Sequence, residues 1–149
     1  AIAYAGVHSE VRTGGTRTDA VPSVADVARF IARCSERGLP FKATAGLHHP
    51  LRGEYPVSQA NDAPSATMFG FLNLFLAAAI ARAGGESLLV ELLQERDAAA
   101  FRFADDSVEW RGHRLTRDQL AESRLAFALT FGSCSFREPV EGLHALALL

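Results

Sequence analysis

A chain of 149 residues, 48% hydrophobic and 21% charged, has the size and composition of one soluble globular domain. A formal charge of -2 gives no support for a nucleic-acid partner or an anionic membrane surface. The apolar run 69–81 is too short to span a bilayer and holds Gly70 and Asn73, and Cys34 and Cys134 have no CxxC or metal spacing. A cytoplasmic protein without membrane association is therefore expected, with no cofactor and no bound metal.

Ala1 to Gly6 reads as the last turn of a helix, with Gly6 as its stop. We therefore expect a single α/β domain over 1–149 that is the C-terminal fragment of a longer protein. Val7 to Thr13 then alternates as a strand and ends at Gly14-Gly15. Its His8, Glu10 and Arg12 face a cavity or solvent, because three ionisable side chains do not pack beneath a helix. Gly14 and Gly15 allow positive φ and a close ligand approach, although a plain turn uses the same residues. Ser23, an N-cap with Asp26 three residues on, opens a helix whose stripe is Val24, Val27, Ala28, Ile31 and Cys34, and Gly38 stops it.

Phe41 to Gly46 is the next strand, and parallel pairing with the first is expected. Phe41, Ala43 and Ala45 share one face; Lys42, Thr44 and Gly46 share the other. Lys42 is the only lysine beside fourteen arginines. A desolvated lysine can serve as a nucleophilic amine, which arginine cannot, whereas a paired one is structural. Glu10 either pairs with Lys42 to hold it or orients it for chemistry. Parallel pairing brings Arg12, Thr13, Gly14 and Gly15 beside Lys42, Thr44, His48 and His49 at the C-terminal strand edge, where α/β folds place ligands.

Residues 47–67 read as a long loop with Arg52, Glu54 and Tyr55 as candidate substrate contacts. The His48-His49 pair admits a metal reading but stands at no recognised ligand spacing. Residues 67–82 read as a helix apolar nearly all round, in which Asn73 either caps buried backbone or reaches the site. A shorter helix over 87–96 follows. A hairpin then pairs Arg102 with Glu109 across the Asp105-Asp106 turn. Thr116 and Gln119 form a capping box that opens a helix through Leu129, and a last helix begins near Pro139. Cys134 is either a nucleophile or a packed linker residue; with no base near it in sequence, burial is the expected fate.

The run Lys42-Ala43-Thr44-Ala45-Gly46 resembles the strand that carries the Schiff-base lysine in deoxyribose-phosphate-aldolase-like barrels. Arg12 to Gly15 is similar to the Gly-Gly strand end of that class, although there it follows the lysine strand. Together with Gly70 to Asn73 and Phe131 to Phe136, these blocks also resemble a bacterial (β/α)-type family without an assigned activity. The residues thus read as two parallel βα units, part of a (β/α) barrel, with a mostly helical C-terminal region containing a hairpin. The resemblance implies a lyase-like role with Lys42 as the imine-forming amine and Gly14 and Gly15 as contacts for a phosphate or carboxylate.

The expected function is an enzyme acting on a small anionic carbonyl compound. Lys42, His48, His49 and Glu10 are its candidate catalytic groups, and Arg12, Thr13, Gly14, Gly15, Thr44, Arg52 and Asn73 its substrate contacts. A metal-assisted hydrolase using His8, His48 and His49, or a non-catalytic interaction domain, is the alternative. Two parallel strands cannot close a barrel, so self-association or a missing N-terminal region is part of the expectation.

Overall fold

The computed structural model describes residues 8–58 and 60–148; the readings of Ala1 to Gly6 and of Val7 lie outside them. Among the described residues, three small sheets and five α-helices are arranged about one apolar helix of the five. Strands β1 (Ser9–Arg12), β2 (Phe41–Thr44) and β8 (Ala128–Phe131) form a parallel sheet in the order β1-β2-β8. Helix α1 (Val24–Glu36) connects β1 to β2, with the Ser23 side chain accepting from the Asp26 N–H as expected. The register sets Ser9 against Phe41 and Glu10 against Lys42. The chain is thus mixed α/β with parallel strands, and no barrel is closed among the described residues.

Residues 128–131 form a strand, although the sequence pattern carries a helix through Leu129. The capping box of Thr116 and Gln119 forms, but α4 (Arg117–Ala126) ends at Phe127, whose φ of -132° leaves the helical region. Ala128 is fully buried beside β2, and the Phe127 carbonyl accepts from the Phe41 N–H. Tertiary pairing therefore overrides the helical reading of Ala128 and Leu129. The expected loop 47–67 likewise holds an antiparallel pair, β3 (Gly53–Pro56) and β4 (Ser65–Met68). The apolar helix α2 consequently starts later than expected and runs Phe71–Arg82. The 101–110 hairpin gains a third strand: β5 (Phe101–Ala104), β6 (Ser107–Trp110) and β7 (His113–Thr116). Arg111 and Gly112, at φ 46° and 84°, form the tight turn between the last two. Arg102 does face Glu109.

Helix α2 is buried because its neighbours cover it all round: α1, α3 (Leu89–Gln94), α4 and β8. Phe41 fixes the sheet to the helices by edge-to-face contacts with Phe30 at 5.3 Å and Phe127 at 5.1 Å. Helix α5 (Arg137–Ala145) follows the segment after β8 and contributes Glu138 to the wall of the main cavity. The opposite sheet face, with Glu10, Arg12, Lys42 and Thr130, is exposed. No helix among the described residues is long and apolar enough to cross a membrane.

One buried polar cluster ties α2, α3 and the three-stranded antiparallel sheet together. The Asn73 side chain is fully buried; its amide donates to the Leu92 and Glu95 carbonyls at 2.9 Å each, and its oxygen accepts from the Arg52 N–H at 2.8 Å. Asn73 therefore caps backbone and lies outside the residues lining the main cavity. The Glu95 carboxylate accepts from the N–H groups of Arg96 and Asp97, from Trp110 Nε1 at 3.1 Å and from Arg111 Nε at 2.6 Å. Burial pushes its carboxyl up, but the bonds from Arg111, Asp97 and Trp110 outweigh this and hold it below the usual glutamate range.

That direction dictates a pH dependence. Glu95 binds its proton more weakly folded than unfolded, so its stabilisation is present above the ordinary glutamate range and fades as pH falls through the folded value. Glu95→Gln is expected to lower the unfolding free energy at neutral pH by about 1.5–3 kcal/mol, the usual worth of hydrogen bonds to a charged group. The gap from the wild type should narrow under acid, as read by urea titrations at several pH values. A gap independent of pH would show that the charge of Glu95 contributes nothing.

Candidate active site

The carboxyl ends of β1, β2 and β8 meet around a cavity of about 670 Å³. Arg12, Gly15, Gly46, His48, His49, Cys134 and Glu138 are among its walls. Its floor depends on two chain segments passing unusually close. Thr13 is fully buried and its hydroxyl donates to the Ala45 carbonyl, while its N–H donates to the Thr44 carbonyl at 2.9 Å. Ala45 and Gly46 then turn through φ 59° and 78°. A Cβ on Gly46 would lie 2.8 Å from the Gly14 Cα, and one on Gly14 2.9 Å from the Gly46 Cα. Thr13 and Gly14 thus build the bend, and neither is among the residues lining the cavity. Gly15 does line the cavity.

The bend throws Leu47 into the core and His48 and His49 over the cavity. The next residues are clamped by the first turn of α2. The Phe71 N–H donates to the His49 carbonyl at 3.0 Å, the Leu72 N–H to the Pro50 carbonyl at 2.9 Å, and Asn73 takes the Arg52 N–H. These contacts satisfy helix N–H groups that no side-chain cap serves. Gly70 is required here, because a Cβ would sit 2.4 Å from Leu51 backbone atoms.

His48 has polar neighbours at both ring nitrogens. Its Nδ1 lies 2.9 Å from Glu138 Oε2 and 2.9 Å from Ser133 Oγ, and its Nε2 lies 3.8 Å from Cys134 Sγ. Ser133 spends its one proton on the Ser135 carbonyl, at 2.7 Å, and the Glu138 carboxylate can only accept. When neutral, the His48 ring therefore carries its proton on Nδ1 and turns the Nε2 lone pair to Cys134. His49 stacks on Tyr55 at a centroid distance of 3.5 Å. Burial lowers its imidazole pKa; Glu138 works against that shift and His48 with it. At the end of β1 the Arg12 Nε donates to the Gly14 carbonyl at 3.0 Å, and the exposed residue lines the cavity.

Lys42 stands apart. The sequence places it in an apolar strand, but its side chain is half-exposed on the open sheet face, 2.9 Å from Glu10 Oε2. Thr44 donates to Glu10 Oε1 at 2.9 Å. Hydrogen bonds from Lys42 and Thr44 hold the Glu10 carboxyl below its usual range. Lys42, Glu10 and Thr44 lie outside the residues lining the cavity. Arg52 also lies outside them: its guanidinium stacks over Phe69 at 4.6 Å, and Nη1 is buried without a hydrogen-bond partner among the described residues. Among the described residues no group of three or more His, Cys, Asp or Glu side chains is arranged to hold a metal ion.

Sequence reasoning missed Glu138 and Ser133, and it expected Cys134 to be buried where it is exposed at the cavity wall. His48 and Cys134 stand 86 residues apart, and no local spacing records their meeting. Comparison with known proteins adds nothing further: no family model, curated protein or solved structure matches the chain.

The close approach of Gly46 to Gly14 can be isolated from its backbone conformation. Gly38 has a similar positive φ of 57°, but a Cβ added there would meet nothing within 4 Å. Gly38→Ala should cost only about 1 kcal/mol, the left-handed penalty of a non-glycine residue. Gly46→Ala adds a backbone clash and should cost about 2–4 kcal/mol in all. Thermal or urea unfolding measures both; equal losses would show that the two strand ends can separate freely.

Proposed function

We propose that this chain is an enzyme domain that binds a small anionic carbonyl compound at the carboxyl ends of β1, β2 and β8. One observation carries the reading: a guanidinium, Arg12, and two imidazoles, His48 and His49, share the wall of one cavity large enough for a small metabolite. Arg12 attracts a carboxylate or phosphate, and the neighbouring turn residue Gly15 leaves the backbone open to close approach. His48, whose Nε2 faces the cavity side of Cys134, moves protons. The arrangement of a site at parallel strand ends is that of (β/α) folds, and a segment of a (β/α) barrel in a cytoplasmic enzyme is part of the same proposal.

Titration with pyruvate, 2-oxoglutarate and acetyl phosphate, followed by amide shifts of Gly15, Gly46 and His48, tests it. At least one is expected to bind in the millimolar range or tighter, and Arg12→Met to weaken it by about tenfold or more, the cost of one charge-assisted contact. No shift at those residues with any of the three would sink the anion-binding reading.

A second reading keeps Lys42 as the reacting amine, on its resemblance to the aldolase strand; its ion pair with Glu10 at 2.9 Å must then open to free the amine. Imine formation there needs the carbonyl to extend onto the open sheet face. Borohydride reduction with glyceraldehyde 3-phosphate and pyruvate should then add the reduced adduct to Lys42, seen by peptide mass mapping. An unmodified Lys42 beside a labelled control amine would remove it.

A further inference from the structure

We infer that Cys134 is a covalent nucleophile, with His48 as its general base and Glu138 as the residue that positions His48, so that the site performs acyl transfer through a thioester. This deepens the proposed anionic carbonyl site by naming its reaction, and it rests on that reading.

The inference rests on three elements converging. His48 comes from the bend after β2 and its clamp on α2; Cys134 comes from the segment after β8; Glu138 comes from the first turn of α5. Their order in space is thiol, imidazole, carboxylate, with separations of 3.8 Å and 2.9 Å. That is the order in which a nucleophile, its base and the base's orienting group must stand. Glu138 and the Ser133 oxygen keep the Nδ1 proton in place, which leaves Nε2 the basic nitrogen, on the side of the sulfur. The charged and titratable groups that line the cavity with His48 are Glu138 from α5, Cys134 from the β8 loop, His49 from its own loop and Arg12 from β1. The second thiol, Cys34, has none of this: it is buried in the core and burial pushes its pKa up.

The chemistry closes. Cys134 gives its proton to His48 Nε2, and the thiolate adds to the carbonyl carbon of an ester or amide, whose C=O becomes an oxyanion. Collapse breaks the bond to the alkoxy or amino leaving group, which takes the proton from Nε2 and leaves a thioester on Sγ. Water then attacks the thioester carbonyl and gives its proton to His48. The C–S bond breaks, the sulfur recovers that proton, and the carboxylic acid departs. An anionic group elsewhere on the acyl portion meets Arg12 at the cavity wall.

Alkylation kinetics with mass mapping test the nucleophile. Between about pH 6 and 8, iodoacetamide should modify Cys134 in the native chain at least ~10-fold faster than in the urea-unfolded chain, while native Cys34 stays unlabelled and so reports the fold. His48→Asn should remove most of that advantage. Glu138→Gln should displace the pH profile, and Glu138→Asp should restore it in part, which a merely structural carboxylate would not do. The acyl step is read with mono-4-nitrophenyl succinate: one equivalent of nitrophenolate should be released in a burst, with a succinyl group found on Cys134 after acid quench. Cys134 reacting no faster than the unfolded thiol, or indifferent to His48→Asn with Cys34 still protected, would overturn the base assignment. A normal alkylation rate without an acyl group on Cys134 would overturn acyl transfer. The anion reading fails separately: iodoacetate should gain on iodoacetamide in the wild type and lose that gain in Arg12→Met. An unchanged ratio would discard the Arg12 clamp and leave the thiol assignment standing.

Discussion

The seating of the histidine loop on the first turn of α2 is the constraint on which the rest depends. A helix N-terminus leaves N–H groups without intrahelical partners, and here Gly70 offers no side chain to take them. The carbonyls of His49 and Pro50 supply the acceptors, and Asn73 takes the Arg52 N–H in return. The same Asn73 amide grips the end of α3, where Glu95 reaches on to Trp110 and Arg111. Helix, loop and antiparallel sheet are thereby held by one continuous polar network inside an apolar surround. In such a setting an unmade hydrogen bond is costly, so the network specifies a single arrangement.

The cavity inherits its precision from that network and from the bend before it. Ala45 occupies a left-handed conformation that disfavours a side chain, next to Gly46 in a similar one. Two consecutive residues of this kind persist only where the surroundings hold them. Thr13 hydrogen-bonds the bend from inside, Gly14 packs flush against it, and Gly132 donates to the Ala43 carbonyl at 2.9 Å on its other side. The result delivers His48 to the segment after β8, where Ser133, Cys134 and Glu138 stand in one neighbourhood. Backbone strain, small residues and chemistry-bearing side chains coincide there, which is where strain is most often found to serve a site.

The sheet's polar face has a different character. Glu10, Lys42 and Thr44 form a mutual hydrogen-bonded set on half-exposed strands. Exposed ion pairs of this kind contribute little to stability. Their value lies in register: a slip of one residue between β1 and β2 would separate Glu10 from Lys42 and turn Phe41 and Ala43 out of the core. The pair and the apolar face therefore specify the same alignment.

Much of the framework was legible in the residues themselves. The Ser23 cap and the stripe from Val24 to Cys34 define α1, the alternation of β1 and β2 defines their two faces, and Thr116 with Gln119 marks the start of α4, because these signals act within one or two turns. The parallel pairing that puts Arg12 near the His48-His49 loop also followed from strand, helix, strand order. What tertiary structure alone decided were contacts between segments remote in the chain. Ala128 to Phe131 became a strand because β2 offered a partner edge, against a helical local pattern. Asn73, ambiguous in sequence, became a backbone cap because Arg52, Leu92 and Glu95 surround it. Lys42, conspicuous by composition, emerged on an open face, whereas Cys134 joined His48 and Glu138 at the cavity. Sequence patterns record the local periodicities that helices and strands need; a thiol, an imidazole and a carboxylate from three separate segments share no period and meet only when the chain has folded.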